Sequence, residues 1–464
     1  MPSHPPVKLT PQAADDLVNL SVELLCDLVR LDTSNPPGNE IIAARYLADR
    51  FAAEGLAPQI IEPSAGRGNI IVRLPAGHDP ASDPDQAIAG LLLLSHLDVV
   101  PAEPASWTWP PFAAEIEDGY IWGRGTIDTK NLTAIEAAVV IMAKRLGVPL
   151  RKDIVFAATA NEESGGDWGA RWLADHQLDL IRAEAAINEG GGVGVHIAGK
   201  LLYTLQTAEK APCPVTITAA GMPGHASTPT EDNPIVTLSR ALVAIGSRRL
   251  PVHITDTYRQ FVETLAKCLP GPMGEAAKCL LDPNLADTMI AQVAGDPGQA
   301  ATMRAMIRNT ATPTVVQAGY KVNVIPGAAT AQIDCRLLPG SSPTTLLAEL
   351  NEVLAAAGLS GTVELSAAEV TAPSMESPFT HPLVETIAAT IASRAAGASL
   401  VPFMVPGATD GRYLRPKGIP VYGFCPMPPG EEYGRAHGHD ERISLAGLRF
   451  GAVTLWDIVN AYCG

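Results

Sequence analysis

Three short, mainly apolar runs, at 69–74, 90–94 and 154–158, constrain this chain more than any other feature. A strand with one wet face alternates apolar and polar side chains, whereas a run without polar breaks needs a sheet covered on both faces. Between the second and third runs, residues 129–145 are rich in Ala, Ile and Val at 3.6-residue spacing and are closed by Gly147, which predicts a helix. Strands alternating with helices predict an α/β domain. Ahead of them, Thr10 and Pro11 form an N-cap and first-turn pair, and Leu17, Leu20, Leu24, Leu28 and Leu31 follow at helical spacing. A second helix is predicted over 40–54, stopped by Gly55.

At 464 residues the chain exceeds what one hydrophobic core supports, so two domains are expected. The texture changes beyond Lys210. A strand at 215–219, a helix at 234–245 and short helical pieces over 257–309 are followed by strands at 321–325 and 329–337, a helix at 343–357 and a strand at 361–365. From Pro373 the earlier pattern resumes, with helix 382–395, strand 419–424 and helix 445–462. The expected organisation is an α/β domain with a mixed sheet and helices on both faces, in two parts (1–212 and 374–464), interrupted by an inserted α+β module (213–373).

Acidic residues outnumber basic ones by 49 to 33, and no dense Lys/Arg run is present, which argues against a nucleic-acid partner. The seven cysteines are scattered without a C-x-x-C pair, which argues against a disulfide framework and a thiolate metal site. The first ten residues carry neither a basic n-region nor an apolar h-region, and no apolar stretch approaches the roughly 18 residues a membrane span needs. A cytoplasmic protein without a membrane partner is expected.

The residues that carry chemistry sit at the ends of the apolar runs. The run 91–94 ends in Ser95-His96-Leu97-Asp98, at the C-terminal strand edge where open α/β sheets keep their ligands. Asp98, two residues on, is placed to orient the His96 imidazole. Asp128 lies at the mouth of the 129–145 helix and serves either to bridge two cations or to cap the helix. The run 154–158 leads into Asn161-Glu162-Glu163-Ser164-Gly165; adjacent side chains diverge, so one glutamate can bind a metal while the other faces a water as base. A strand at 185–188 ends in Glu189 followed by three glycines, and Ala436-His437-Gly438-His439-Asp440-Glu441 adds imidazoles near the C-terminus. One imidazole with one or two carboxylates per ion, around a shared aspartate, suits a pair of Zn²⁺ ions, with Mn²⁺ or Co²⁺ as substitutes. Neither a phosphate loop, nor G-x-S-x-G, nor H-E-x-x-H is present.

In order and spacing, SHLDVVP (95–101), GRGTIDTK (123–130), NEESG (161–165), NEGGG (188–192), GMPGHASTP (221–229), KVNVIPG (321–327) and AHGHDER (436–442) make the chain resemble the M20 metallopeptidase family. The resemblance implies that Asp128 bridges two metals, that His96 and Glu189 complete one site, and that Glu163 and His437 complete the other. It makes Glu162 the general base and Asp98 the clamp on His96. Position 189 is Glu where many relatives carry Asp. His439 is a competing ligand, and His437 is preferred because the family places a histidine four residues before a glutamate, here Glu441. The inserted module corresponds to the family's lid and dimerisation domain, with His225 stabilising the oxyanion in a partner subunit's site. Asn323 and Arg336 resemble the residues that meet the substrate's carbonyl and carboxylate, and Gly407 resembles a pocket-lining backbone position; Arg336 also reads as the ion-pair partner of a nearby acid.

The expected function is metal-dependent hydrolysis of an amide or peptide bond, releasing an amino acid with a free carboxylate from an N-acyl amino acid or short peptide, in a homodimer. Two alternatives stand beside it: a narrow biosynthetic deacylase of the acetylornithine or succinyl-diaminopimelate kind, and a scaffold that binds an amino-acid-like ligand without hydrolysing it.

Overall fold

The computed structural model describes residues 7–77, 88–197 and 199–464. The opening residues read above for a leader, 1–6, lie outside this range. The chain forms two compact units, one of residues 1–207, 377–403 and 409–464 and one of residues 208–376 and 404–408.

The apolar runs are the centre of the first unit. Its large mixed sheet runs in the order Gln59–Ile61, Asn69–Leu74, Ile154–Thr159, Ala89–His96, Ala183–Asn188, Val421–Gly423, Lys200–Glu209, Ser399–Val405, with Gly194–Ile197 paired to Lys200–Glu209. Ile154–Thr159, Ala89–His96, Ala183–Asn188 and Val421–Gly423 are mutually parallel, so their C-terminal ends open on one edge. The four consecutive leucines follow from this placement. Leu91 and Leu93 enter a core shared with Leu28, Ile135 and Leu455, while Leu92 and Leu94 enter a second core with Val155, Leu173 and Leu414. Each such side chain, fully withdrawn from water, contributes roughly 1.5–3 kcal/mol. Helix Pro11–Arg30 starts as its sequence indicates, with Thr10 Oγ1 accepting from Ala13 N at 3.2 Å. No helix among the described residues is long and apolar enough to cross a membrane.

In the second unit, Ala328–Leu337 pairs antiparallel with Val215–Ala220, which in turn pairs with Glu364–Ala367. Buried Val215, Ile217 and Ala219 alternate with less buried neighbours and share a core with Leu238 and Ala241 of helix Pro234–Gly246 and Leu346 and Leu350 of helix Pro343–Ala356. The short helical pieces are Asp256–Cys268, Pro272–Ala277, Ala286–Val293 and Pro297–Ala305.

Two readings of this unit need correction. A nine-residue strand, Thr310–Ala318, lies beside Ala328–Leu337 where none was expected; Pro313, which argues against a central strand, sits at a register shift. The strand expected at 321–325 shrinks to Val324–Ile325, paired with Gly224–His225, because Gly319 takes a left-handed turn (φ +69°) and Tyr320 and Val322 stand out into solvent.

Helix Lys130–Arg145 is buried from Lys130 to Ala143 and carries one carboxylate, Glu136. Burial raises the Glu136 pKa well above the ordinary carboxyl range, and contacts with Ser95 and the Leu94 backbone offset this only in part. The folded state therefore favours the protonated acid, and keeping it costs stability once pH exceeds the unfolded value of about 4.3. Glu136→Gln is expected to raise the melting temperature near neutral pH, with the gain shrinking to nothing as pH falls below about 4. A melting temperature that falls at neutral pH in scanning calorimetry would show that the carboxylate is needed in its charged form.

Candidate metal centre

All five expected metal ligands lie in the first unit and converge. His96 ends strand Ala89–His96 and Glu189 directly follows strand Ala183–Asn188, so the sheet ladder fixes both. The other three stand on loops. Asp128 comes two residues before helix Lys130–Arg145, Glu163 is in the single turn Glu162–Ser164, and His437 is a left-handed residue (φ +62°).

Asp128 is the hinge of the arrangement. Its Oδ1 is 3.2 Å from His96 Nε2, which is also 3.5 Å from Glu189 Oε2. Its Oδ2 is 3.1 Å from His437 Nε2, which is also 3.2 Å from Glu163 Oε2. One carboxylate thus faces two imidazoles, each with a further carboxylate. Of the two roles left open for Asp128, helix capping finds no support: the cap position is Thr129, and it makes no side-chain cap bond. Donor atoms of His96, Asp128 and Glu163 lie within 4.8 Å of one another, as do those of His96, Glu162 and Glu189.

The donor set fits divalent cations. His96 Nδ1 donates to the Asp98 carbonyl oxygen at 2.9 Å, which puts the lone pair of the neutral ring on Nε2, the atom facing Asp128 and Glu189. Glu163 Oε1 is buried and has no hydrogen-bond partner among the described residues. Burial pushes the Glu162 carboxyl well above its usual range, with Glu189 adding to it, and burial raises Glu189 to about 7. Hydrogen bonds to Asp128 and Glu163 raise His437 to about 10. Burial works against ionisation of Asp128, yet His437 and His96 hold its carboxyl below the ordinary range. So much negative charge gathered in a partly buried site calls for cations.

Asp98 acts differently from the expectation. Its carboxylate stands 3.6 Å from His96 Nδ1, and the ring is held by the Asp98 backbone carbonyl instead. The carboxylate accepts from Glu162 N at 3.0 Å, Glu163 N at 3.1 Å and Asn35 Nδ2 at 2.7 Å. Because the turn 162–164 is too short to fix itself, Asp98 orients both glutamates by their backbone. Asn161, left-handed at φ +68°, starts this turn, and its N–H is held by Glu40 Oε1 at 3.1 Å. Arg67 ties Glu40 and Asn35 together, at 2.7 and 3.1 Å. From the other side, Arg412 NH2 and the Tyr413 hydroxyl donate to Gly165 O, and Asp410 accepts from Thr159 Oγ1 at 2.6 Å.

The sequence reading missed these supporting groups. It also missed Glu441, used there only to choose between histidines, whose buried carboxylate accepts from the backbone of the Asp128 loop. For Glu441 a signal was present, since it sits in the same short motif as His437; Asn35, Glu40, Arg67, Asp410, Arg412 and Tyr413 lie outside the ligand motifs.

His225, Asn323, Arg336 and Gly407 belong to the second unit. His225 pairs with Val324, and Ala226 N donates to Asn323 O at 3.1 Å, so His225 and Asn323 are neighbours. His225 Nδ1 accepts from Ser227 N at 3.2 Å, which places the proton of the neutral ring on Nε2. Arg336 is held by Asp334 through Nε at 2.7 Å and NH2 at 3.0 Å, the ion pair weighed above. Gly407 O accepts from Lys210 N at 3.1 Å.

Asp98→Asn keeps the shape but turns one acceptor oxygen into a donor facing N–H groups. Loss of roughly 10–100-fold in metal affinity or turnover is expected. Competition titration with a metal chelator and steady-state kinetics check this; unchanged values in both would show that the turn holds its glutamates unaided.

The comparisons with known proteins show the family. The sequence profile of peptidase family M20/M25/M40 matches residues 92–461, a stretch that contains every ligand described above. An N-fatty-acyl-amino acid synthase/hydrolase of Xenopus tropicalis is 30% identical over 371 residues, covering 78% of this chain and 70% of that protein. Aminoacylase-1 of Mus musculus is 27% identical over 426 residues, covering 91% and 90%. Among solved structures, an M20 family metallo-carboxypeptidase from Sulfolobus solfataricus superposes with a TM-score of 0.70 at 18% identity, over 95% of this chain and 99% of that one. The resemblance read from the motifs is borne out: the chain belongs to peptidase family M20/M25/M40, enzymes of metal-dependent amide and peptide hydrolysis.

Proposed function

We propose that this enzyme uses two Zn²⁺ ions to release an amino acid with a free carboxylate from an N-acyl amino acid or short peptide. The observation that carries the reading is the Asp128 carboxylate set between His96 with Glu189 and His437 with Glu163. Imidazole and carboxylate donors suit Zn²⁺, with Co²⁺ or Mn²⁺ as substitutes. When bound, such a pair supplies an acidified water and a polarised carbonyl.

The chain's own groups supply the proton transfers and the binding. Glu162, beside Glu189 and His96 and held by Asp98 through its N–H, takes a proton from the attacking water. As the C–N bond breaks, the same carboxyl returns that proton to the departing amine, so no group on the chain is left altered. His225 donates from Nε2 to the oxygen on which negative charge develops. Arg336 meets the substrate carboxylate; its Nε–NH2 edge is taken by Asp334, so the NH1 side is the one left to do so. Asn323 meets the substrate carbonyl, and the backbone at Gly407 lines the pocket. The 30% identity to a hydrolase of fatty-acyl amino acids, and the match to aminoacylase-1 over nearly its full length, support the acyl-amino-acid side of the family over the compact biosynthetic deacylases. All seven cysteines are unpaired, which suits a reducing, cytoplasmic compartment.

The second unit supports a homodimer. Strand Thr310–Ala318 is paired on one side only among the described residues and presents Val315 and Val316 at 44% and 59% exposure. Ile235, Val236 and Val243 of the neighbouring helix Pro234–Gly246 are exposed as well. An open edge strand with apolar neighbours is self-complementary across a two-fold axis. The residues 213–373 are on this reading a lid and dimerisation domain, with His225 serving a second copy.

Glu162→Gln is expected to lower kcat by roughly 100-fold or more while metal content stays near two per chain; retained turnover would remove Glu162 as the base. Val316→Lys is expected to convert the dimer to monomer in light scattering, with kcat falling in parallel if His225 acts across the interface. An unaltered protein that is already monomeric and fully active would sink the dimer reading.

A further inference from the structure

We infer that the buried Arg124–Glu441 pair is a positioning latch that sets the affinity of the His437 side of the centre while leaving the His96 side largely independent. The inference rests on the two-cation reading above and deepens it by giving the two sites unequal strengths. Glu441 is fully buried, and Arg124 is nearly so. Glu441 Oε1 collects three backbone N–H groups, from Gly125 at 3.1 Å, Ile127 at 2.7 Å and Asp128 at 3.1 Å. Its Oε2 accepts from Arg124 NH1 at 2.6 Å. The other terminal nitrogen of Arg124 reaches the His437 carbonyl oxygen at 3.4 Å. One carboxylate and one guanidinium therefore tie the backbone of Asp128 to that of His437.

The surrounding segments reinforce the tie. Gly123 N donates to Glu441 O at 2.9 Å, and Arg442 to Ser444 pair with Trp122 to Tyr120. The Arg124 guanidinium lies over the Trp107 ring at 5.2 Å, and Asp440 accepts from Thr108 N and Oγ1 at 2.7 and 2.9 Å. The Glu441 and Arg124 side chains bond to each other and to main-chain groups, so the effect is on placement.

The asymmetry follows from where each ligand is anchored. His96 ends a paired strand and Glu189 directly follows Asn188, which pairs with Gly423, so of the His96-side ligands only Asp128 depends on the latch. On the other side, Asp128 and His437 both depend on it, and only Glu163 is held elsewhere, by Asp98. An amide at position 441 keeps one oxygen for the three N–H donors, but its nitrogen then faces the Arg124 guanidinium donor to donor, so the latch opens on the Arg124 side.

The test is a titration of metal-free protein with Zn²⁺ against a competing chelator, with metal content measured after dialysis. The unaltered protein is expected to take up two equivalents. In Glu441→Gln the first equivalent should bind within a few-fold of the unaltered affinity, and the second should weaken by roughly 10–100-fold. A second equivalent of unaltered affinity, or equal weakening of both, would overturn the latch. Arg124→Lys keeps the buried charge pair but gives up the reach to His437 O, and should reproduce the one-sided loss even if Glu441→Gln does not fold; equal losses there would also overturn it. An unaltered protein that binds fewer than two equivalents removes the two-cation reading itself, which separates that failure from failure of the latch.

Discussion

The structure depends on holding Asp128, Glu162, Glu163 and Glu189 close together in a partly buried site. At an effective dielectric near 20, two such charges about 4 Å apart repel by about 4 kcal/mol. His96 and His437 oppose this repulsion, and the directions of the titrations show how: both imidazoles are pulled toward the cationic form, Glu162 and Glu189 are pushed toward the neutral acid, and Asp128 between the rings stays ionised. Divalent cations would take over the work that protons otherwise do. The centre is therefore a place where the fold gives up stability, and the two apolar cores on either face of the large sheet provide the rigidity that offsets it.

That division explains which parts of the molecule could be read from the sequence. The four leucines at 91–94 specify a strand buried on both faces, since one alternate pair enters each core. Once those strands are located, the parallel edge follows, and so do His96 and Glu189 as groups projecting from it. Helix Pro11–Arg30, with its Thr10 cap, and helix Lys130–Arg145 were equally legible, because their signals are local. The motif resemblance then turned candidates with open roles into a named set.

What stayed hidden is chemistry carried by the backbone. Asp98 was expected to act on its neighbour His96 by side chain, but the nearest acceptor for that ring is the Asp98 carbonyl, and the carboxylate is used on Glu162 and Glu163, more than sixty residues on. Glu441 likewise spends its charge on N–H groups of a loop distant in sequence. A side chain that binds main chain leaves no partner residue type to look for. Strand Thr310–Ala318 was missed for a related reason: Pro313 is a strand breaker by its own chemistry, and only the register shift beside it makes room.

The glycines beside the ligands show the same principle from the opposite direction. Gly190 to Gly192, after Glu189, could be taken for a flexible or anion-binding loop. A Cβ at Gly191 would lie 2.4 Å from the Gly423 carbonyl oxygen, and one at Gly192, left-handed at φ +88°, 2.4 Å from that of Cys425. The run lets two backbones cross at the end of the sheet, so Glu189 leaves a strand whose last residues are clamped rather than free. Ligands at ladder ends need only close packing of this kind, whereas ligands on turns need a charged group that gathers their N–H donors. The centre combines the two, and its loop-borne half, with Glu162 and Glu163 beside Asp98 and Asp128 beside Glu441, is where the base proposed for Glu162 would have to be placed accurately without the help of a sheet.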